Sequence, residues 1–390
     1  MTRLAWRTAG ESHGPCLIGI VEGLPAGLEL DVERVDRELA RRQRGYGRSA
    51  RMNFERDRIE ILGGWRAGRT IGAPVAFRIA NADHTIERLA VPADPRPGHA
   101  DLAGCQKFGN PDPRAVLERA SARETAARVA AAGLARQVIE TFGIEVFAHV
   151  VELGGEAARE DALAAAGEER LARRDASDFF SLDPAADERM RSAVDRAREA
   201  GDSLGGVFEV VAWGVPPGLG SYASGPERMP ARLGAALLSI PAIKAVGFGI
   251  GFEAARASGS HYHDPIVPAD DPRLARDAAG PRWGRFARLT NRAGGTEGGI
   301  TTGEPIVARV AMKPIPTLRQ GLPTVAFDTG EAVRSTYQRS DVTSVPAASV
   351  VGEAVVALVL AAAFLEKFAG DSMSQVRAAF EHYRGELRAL

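Results

Sequence analysis

Two histidines lie in glycine-rich segments where a side chain could transfer a proton. His13 stands in residues 10–14, Gly-Glu-Ser-His-Gly, and His99 stands in residues 96–101, Arg-Pro-Gly-His-Ala-Asp. Histidine titrates nearest to neutral pH, and neighbouring glycines let the backbone approach a ligand closely. Both histidines are therefore candidate general acids.

Asp341 is a candidate base. It follows Arg339 and Ser340 and precedes Pro346, at the start of a predicted buried helix. A carboxylate at this place can accept a proton from a substrate, or it can cap the helix. The spacing alone does not separate these two interpretations.

A second pair of histidines, His261 and His263, flanks a single tyrosine in the pattern of paired metal ligands. No third ligand stands at a recognisable spacing from them. A polar loop is the better interpretation, and we expect no metal site.

Positive charge is concentrated in the turn after a predicted helix. Residues 41–48 contain four arginines and two glycines, Arg51 follows them, and no acidic residue lies between 41 and 51. The planar guanidinium group suits phosphate and carboxylate oxygens. A solvated basic turn is the alternative, but we favour an anion-binding site.

Two further segments are typical of ligand sites. Residues 291–303, Asn-Arg-Ala-Gly-Gly-Thr-Glu-Gly-Gly-Ile-Thr-Thr-Gly, match neither a P-loop nor a dinucleotide fingerprint, so they are either a linker or backbone wrapped around a ligand. Ser121 opens a helix with Arg119 and Arg123 beside it. The free amide groups of that first turn would attract an anion.

The elements that must position these residues alternate between strands and helices. The patterns predict strands over residues 17–22, 207–213 and 305–312, and helices over residues 31–43, 121–142 and 347–368. Residues 156–200 are typical of solvated helices with loops, and we expect no functional site there. The longest apolar run, 354–365, is shorter than the roughly 20 residues that span a bilayer, so it predicts a buried core helix.

Two turns resemble each other. Residues 21–28, Val-Glu-Gly-Leu-Pro-Ala-Gly-Leu, are similar to residues 212–219, Ala-Trp-Gly-Val-Pro-Pro-Gly-Leu, and each follows a predicted strand. The similarity indicates either a common strand-to-turn pattern or a core duplicated within the chain.

Composition sets the broad class. The chain has 390 residues, 45% apolar and 25% charged, with a net charge of −1, so bulk charge attracts neither nucleic acid nor a membrane surface. Cys16 and Cys105 make no disulfide framework, and the N-terminus shows no signal peptide. We therefore expect a cytoplasmic enzyme of one large domain, or of two or three domains.

Taken together, these segments resemble the chorismate synthase family. The resemblance is carried by residues 10–15, 41–43, 45–48, 96–101, 118–128, 201–206, 291–299, 313–317 and 339–341. It implies an α+β fold with a β-α-β sandwich and internal pseudo-duplication, forming one catalytic domain over residues 1–390. It also implies a homotetramer.

The activity implied by the resemblance is a lyase reaction of the shikimate pathway. Phosphate is lost by anti-1,4-elimination from 5-enolpyruvylshikimate 3-phosphate, which gives chorismate, and reduced FMN is required. The flavin would lend an electron transiently. His13 would be a general acid serving the flavin, His99 would protonate the departing phosphate, and Asp341 would help remove the ring proton.

The resemblance also implies binding residues and partners. Cofactor contacts carry over to Arg42, Arg48, Ser121, Ala122, Arg123, Pro241, Ala242, Gly298, Lys313, Pro314, Ile315, Pro316, Thr317 and Arg339. Substrate contacts carry over to Ser12, Arg42, Arg48, Arg51, Arg96 and Arg123. NADPH is a candidate reductant, and a separate flavin reductase is the expected source of electrons. Pro241 departs from the family pattern, which often has an amide there, and residues 247–251 replace expected acidic residues.

Two other classes compete with this interpretation. A flavin- or anion-binding protein without catalysis would keep the glycine loops but lose an acid, whereas His13, His99 and Asp341 are all present. A phosphotransferase would need a P-loop or paired magnesium carboxylates, and the sequence contains neither pattern.

Overall fold

The computed structural model describes residues 4–48, 56–110, 112–159, 167–274, 283–337 and 341–389. The strands are β1 Ala5–Ala9, β2 Cys16–Glu22, β3 Glu60–Gly63, β4 Trp65–Arg66, β5 Arg69–Thr70, β6 Val75–Ala80, β7 Glu145–Leu153, β8 Glu156–Ala157, β9 Gly206–Trp213, β10 Ile243–Phe248, β11 Ile266–Pro268, β12 Phe286–Arg288, β13 Thr296–Glu297, β14 Ile300–Thr301, β15 Ile306–Met312, β16 Pro323–Val325 and β17 Ala332–Arg334. The helices are α1 Val32–Gln43, α2 Asp101–Phe108, α3 Pro113–Arg119, α4 Thr125–Glu140, α5 Gly167–Ala176, α6 Pro184–Ala200, α7 Met229–Leu238, α8 Gly259–Tyr262, α9 Val345–Lys367 and α10 Met373–Ala389.

Two antiparallel sheets form the outer layers of the core. One has the strand order β1-β2-β6-β3, and the other has the order β10-β15-β9-β7-β8. Helix α4 packs on the first sheet and on α9, while α9 packs on β7 and β9 of the second sheet. Helices α1 and α7 also contact α9, so the helices lie between the two sheets. The predicted mixture of helix and strand is confirmed.

Helix α9 is the buried core helix that the apolar run predicted. It is 23 residues long, which by length and composition is enough to cross a membrane, but 83% of its apolar window is buried inside the protein. Gly352 lets it approach the second sheet closely, because a Cβ there would lie 2.3 Å from the ring of Phe208.

The predicted helix starts are close to those observed. Asp31 caps α1, and its carboxylate accepts a hydrogen bond from the amide of Arg34 at 2.8 Å. Ser121 precedes a 3₁₀ turn that leads into α4, and its hydroxyl accepts from the amide of Arg123 at 3.3 Å. The carboxylate of Glu124, three residues after Ser121, accepts from the hydroxyl of Thr8 at 2.6 Å.

The two halves of the chain build their sheets in the same order. In the first half, β1, β2, β6 and β3 are neighbours in that order, and in the second half the equivalent neighbours are β7, β9, β15 and β10. Helix α1 follows β2 and α7 follows β9, the hairpins β4–β5 and β13–β14 precede β6 and β15, and the long core helices α4 and α9 come later in each half.

The turns noticed in the sequence also have matching hydrogen bonds. In the first half, the hydroxyl of Thr70 donates to the carbonyl of Pro25 at 2.5 Å. The same hydroxyl accepts a bond from the amide of Leu28 at 3.0 Å.

In the second half, Thr301 occupies the matching place at the end of the β13–β14 hairpin. Its hydroxyl donates to the carbonyl of Pro216 at 2.6 Å and accepts from the amide of Leu219 at 2.8 Å. The two similar segments therefore share a tertiary contact as well as a strand-to-turn pattern.

Candidate active site

A cavity of about 400 Å³ is lined by residues from both the first and the second half of the chain. Such a volume falls in the ~300–1,000 Å³ range usual for small-molecule sites. Its walls come from the ends of α1, α7 and β15, the starts of α4 and α9, and the loop before α2. They include Arg42, Arg48, Arg96, Gly98, His99, Leu117, Ala120, Ser121, Ala122, Arg123, Thr125, Ile240, Pro241, Ala242, Met312, Lys313, Ile315, Pro316, Thr317, Asp341, Ser344, Ala347, Ala348 and Val351.

Two helix N-termini face this cavity. Helices α4 and α9 pack against each other, and the residues that begin each of them, Ser121 to Thr125 and Asp341 to Ala348, supply part of the lining. The first amide groups of a helix have no partner within the helix and carry partial positive charge. The cavity is therefore suited to an anion even before side chains are considered.

Asp57 holds two arginines of the cavity together. Its carboxylate accepts from Arg42 Nη2 at 2.8 Å and from Arg123 Nη1 at 2.5 Å, and its side chain is fully buried. Burial would raise the pKa of Asp57, but the charges of Arg42 and Arg123 outweigh that effect and lower it. Arg123 Nε also donates to Asn81 at 3.0 Å. Asp57 thus remains ionised and fixes both guanidinium groups at the cavity wall.

One nitrogen of the Arg42 guanidinium group, Nε, is not hydrogen-bonded to any described residue. Arg42 is 4% exposed. Burial lowers the pKa of the Arg42 guanidinium, although the charge of Asp57 opposes this. Arginine stays protonated at neutral pH, so a buried donor remains available beside the cavity.

Asp341 lies at the start of α9 and is paired with Arg48. Arg48 Nη1 is 2.8 Å from Asp341 Oδ2, and the hydroxyl of Ser344 donates to the same oxygen at 3.0 Å. Both charged side chains are largely buried, at 12% and 14% exposed. The carboxylate therefore lines the cavity in a fixed orientation.

His99 lies in the loop before α2, with its Nδ1 2.5 Å from Asp101 Oδ1. Arg96 Nε donates to Asp101 Oδ2 at 2.8 Å, so the loop is closed around one buried carboxylate. Burial would raise the pKa of Asp101, but bonds from His99 and Arg96 lower it well below its usual range. His99 and Arg96 both line the cavity.

The segment after β15 lines the cavity next to the loop that carries His99. Lys313 Nζ donates to the carbonyl of Gly98 at 2.8 Å, which ties this segment to the histidine loop. Burial and the charge of Lys244 lower the pKa of Lys313. No carboxylate within the described residues forms a salt bridge with Lys313, so its charge is left for a ligand. The carbonyl of Ile315 accepts from Ser203 at 2.7 Å.

Ala242 holds an unusual conformation at the cavity wall. Its φ of 68° lies in the left-handed region, which is costly for a residue with a side chain. Its carbonyl accepts from the amide of Lys313 at 3.0 Å. With Pro241, Ile240 and Met312, it forms an apolar part of the wall.

His13 is not among the residues that line the cavity. Its Nδ1 lies 2.8 Å from Glu118 Oε2, and its Nε2 lies 3.7 Å from Asp83. Glu118 is buried, and although burial would raise its pKa, the bonds and charge of His13 lower it. Glu118 follows Leu117 on α3, and Leu117 lines the cavity.

The cavity brings together most of the residues that the sequence singled out. Those along its walls are Arg42, Arg48, Arg96, His99, Ser121, Ala122, Arg123, Pro241, Ala242, Lys313, Ile315, Pro316, Thr317 and Asp341. Those that do not line it are Ser12, His13, Pro314 and Gly298. Gly298 lies in the turn between β13 and β14. Arg51 and Arg339 lie outside the described residues.

Arg41 and Arg42, in the turn that the sequence predicted as an anion site, have different roles. Arg41 points away from the cavity and bonds Glu353 at 2.8 and 2.9 Å, with Glu38 also in contact. The absence of acidic residues between 41 and 51 was therefore misleading for Arg41, because its partners are Glu38 on the same helix and Glu353, which is 312 residues away. Arg42 alone of this neighbouring pair reaches the cavity.

Sequence reasoning missed several residues. Asp57 and Asp101 support the cavity cations, and Thr125 and Ser344 add hydroxyl groups to its wall. Asp101 carried a signal, since it stands two residues after His99 within the same motif. Asp57 carried none, because its partners are brought to it by tertiary packing.

Comparisons with known proteins identify the family of this chain. A family model described as chorismate synthase matches residues 4–365. The chain is 52% identical to a chorismate synthase of Rubrobacter xylanophilus, over 98% of this chain and 96% of that protein. It is 50% identical to one of Geobacter sulfurreducens, over 99% of this chain and 100% of that protein. A solved crystal structure of chorismate synthase superposes with a TM-score of 0.80 at 40% identity, covering both chains completely. The chain belongs to the chorismate synthase family and is an enzyme of that family.

Proposed function

We propose that this chain eliminates phosphate from 5-enolpyruvylshikimate 3-phosphate by an anti-1,4-elimination that gives chorismate, with reduced FMN in the cavity. The observation that carries the proposal is the lining of the cavity. Five cationic side chains and two helix N-termini surround a space with apolar walls. A ligand that combines phosphate and carboxylates with a flat apolar ring matches that chemistry.

The charge on the walls suits the substrate. The ester carries one phosphate and two carboxylates, and Arg42, Arg48, Arg96 and Arg123 line the cavity. Asp57 bonds Arg42 and Arg123, and Asp101 bonds Arg96. These guanidinium groups therefore need little reorganisation when an anion binds. Ser12 and Arg51 complete the proposed set of substrate-binding residues. Ser12 does not line the cavity, and Arg51 lies outside the described residues.

The cavity also offers features that suit a flavin. Ile240, Ala242 and Met312 give apolar surface for a ring system, and the unpartnered Nε of Arg42 offers a buried donor. The residues that would hold the cofactor are Ser121, Ala122, Arg123, Pro241, Ala242, Gly298, Lys313, Pro314, Ile315, Pro316, Thr317 and Arg339. When bound, reduced FMN supplies a transiently transferable electron. Arg42 and Arg48 are also the proposed contacts of NADPH, the candidate reductant.

Three side chains have proposed chemical roles. His99 gives a proton to the departing phosphate, because it lines the cavity beside Arg96. Asp341 takes part in removing the ring proton, and Arg48 orients its carboxylate. His13 acts as a general acid that serves the reduced flavin, and it is held between Glu118 and Asp83.

The proposal extends to fold and assembly. The matching strand orders and threonine bonds support a β-α-β sandwich made by internal pseudo-duplication, acting as one catalytic domain over residues 1–390. We propose a cytoplasmic homotetramer that receives electrons from a separate flavin reductase and binds neither nucleic acid nor a membrane.

An anaerobic assay tests the function. The chain is mixed with dithionite-reduced FMN and the enolpyruvyl ester, and chorismate absorbance is followed. Turnover that requires reduced flavin supports the proposal, and the absence of chorismate would contradict it. Magnesium nucleotide offered in place of flavin tests the phosphotransferase alternative, and should give no reaction.

A further inference from the structure

Asp101 is a buried carboxylate that touches two residues of the cavity wall. It is the first residue of α2 and is 1% exposed. Its Oδ2 accepts from the amide and from Nε of Arg96, at 3.1 and 2.8 Å. Its Oδ1 accepts from Arg96 Nη2 at 3.1 Å and lies 2.5 Å from His99 Nδ1. The carboxylate thus binds the whole loop from 96 to 99.

The distances decide which ring nitrogen of His99 carries a proton. Two lone pairs facing each other at 2.5 Å would repel, so a hydrogen must lie between Asp101 Oδ1 and His99 Nδ1. Arg96 Nη2 also lies 3.0 Å from Nδ1, but a guanidinium can only donate and so cannot bond a protonated nitrogen. It bonds Asp101 instead. Nδ1 is therefore the protonated nitrogen, and Nε2 has no hydrogen-bond partner among the described residues.

We propose that Asp101 is a positioning residue that keeps a proton on Nδ1 of His99 and thereby leaves Nε2 to serve the departing phosphate. This inference rests on the proposed function. In the step, the Nε2–H bond breaks, its electron pair stays on the ring, and an O–H bond forms on the phosphate. His99 is left neutral with its Nδ1 proton still bonded to Asp101, which remains a carboxylate.

Asp101→Asn is the sharpest variant, because it changes one atom's role and little else. The asparagine oxygen can still accept from Arg96, but its amide group would face Nδ1 as a donor. That arrangement requires an unprotonated Nδ1 and disfavours the doubly protonated ring that an acid needs.

Asp94→Asn is the matched control. Asp94 lies in the preceding segment, is 5% exposed, and accepts from the amide and hydroxyl of Thr336 at 2.8 and 2.5 Å. It does not line the cavity. Loss of this buried carboxylate should lower stability without altering His99.

The first readout is nitrogen NMR of histidine-labelled protein, with the His99 signals assigned by their loss in His99→Gln. The parent should show a protonated Nδ1, Asp94→Asn should match it, and Asp101→Asn should show an unprotonated Nδ1. An unprotonated Nδ1 in the parent would overturn the proposal, even if the Asp101→Asn variant failed to fold. A failure of the proposed function would leave this measurement unaffected.

The second readout is the separation of kcat from KM. General acid catalysis contributes roughly 10²–10⁴-fold, so Asp101→Asn should lower kcat by about 10²-fold or more while KM changes by about 3-fold or less. Asp101→Glu should recover part of kcat because it restores a carboxylate. Asp101→Asn with the parental kcat would refute the positioning role.

Discussion

Glu353 lies at the centre of a buried charge cluster, and its replacement gives the most quantitative prediction. It is 2% exposed on α9 and forms ion pairs with Arg41 at 2.8 Å, Arg136 at 2.9 Å and Arg174 at 3.3 Å. The amide of Ala148 donates to it at 3.0 Å. Glu353→Gln keeps the shape but leaves the buried guanidinium groups without their shared carboxylate.

The magnitude follows from the pKa of Glu353. Burial would raise this pKa, but Arg41, Arg136 and Arg174 lower it from 4.5 to about 2. At about 1.4 kcal/mol per pKa unit, this fall in pKa means that the ionised Glu353 contributes about 3 kcal/mol to the free energy of unfolding. Breaking a buried ion pair by removing one partner costs about 3–5 kcal/mol, which agrees in size. Glu353→Gln should therefore destabilise the chain by about 3 kcal/mol at pH 7.

The pH dependence has a defined sign. Because the folded-state pKa lies below the unfolded value, the ionised carboxylate stabilises the fold fully above pH 4.5. That contribution is lost as pH falls through the interval from 4.5 to about 2. The stability difference between the parent and Glu353→Gln should therefore shrink over the same interval.

Denaturant unfolding at fixed protein concentration measures both effects. Glu366→Gln on the same helix is the control, since its pairing with Arg232 is partly exposed, at 30% for Glu366, and should be worth about 1 kcal/mol or less. If Glu353→Gln were no more destabilising than Glu366→Gln, the assigned role of the cluster would be wrong.

Four other substitutions have defined outcomes. His99→Ala and Asp341→Ala should each slow elimination by about 10²-fold or more while reduced FMN still binds, as flavin absorbance titration and anaerobic turnover would report; parental turnover in either variant would remove its role. Asp57→Asn should destabilise the fold by about 3 kcal/mol, because two buried arginines lose their carboxylate, and inorganic phosphate should raise its melting temperature more than that of the parent. An equal response to phosphate would count against an anion site between these arginines. Gly352→Ala should cost about 1–3 kcal/mol in thermal unfolding, since the new methyl group meets the ring of Phe208, and an unchanged melting temperature would contradict that packing.

Local patterns predicted the elements of this fold well. The cap at Asp31 and the apolar spacing after it specify α1, and the long apolar run specifies α9 as a core helix. These features depend on residues within one or two helical turns, so the sequence contains the information directly. The order of strands in the sheets is different, because it depends on contacts between distant segments.

Arg41 and Arg42 show where prediction from sequence ended for the site. They are adjacent, and both belong to the motif that predicted an anion site, but only Arg42 lines the cavity. Neighbouring residues on a helix point in directions about 100° apart, and the sequence does not say which direction faces the ligand. The partner that decides the matter for Arg41 is Glu353, on a helix from the other half of the chain.

His13 shows a second kind of limit. Its motif predicted an acid at a ligand, and the structure adds the partner Glu118, whose Oε2 lies 2.8 Å from His13 Nδ1. Glycine-rich flanks indicate that a ligand can come close, but they do not identify the distant residue that holds the side chain. Asp57 could not have been found at all, because its role exists only once α1 and the 3₁₀ turn before α4 bring Arg42 and Arg123 to it.

We propose that the cavity couples loss of phosphate to formation of chorismate, with reduced FMN present. An anaerobic single-turnover experiment tests it most directly, with enzyme in excess over the ester and with both products quantified. We expect one phosphate and one chorismate per ester consumed with reduced FMN, and neither product with oxidised FMN. Phosphate release without chorismate, or product formation with oxidised FMN, would contradict it.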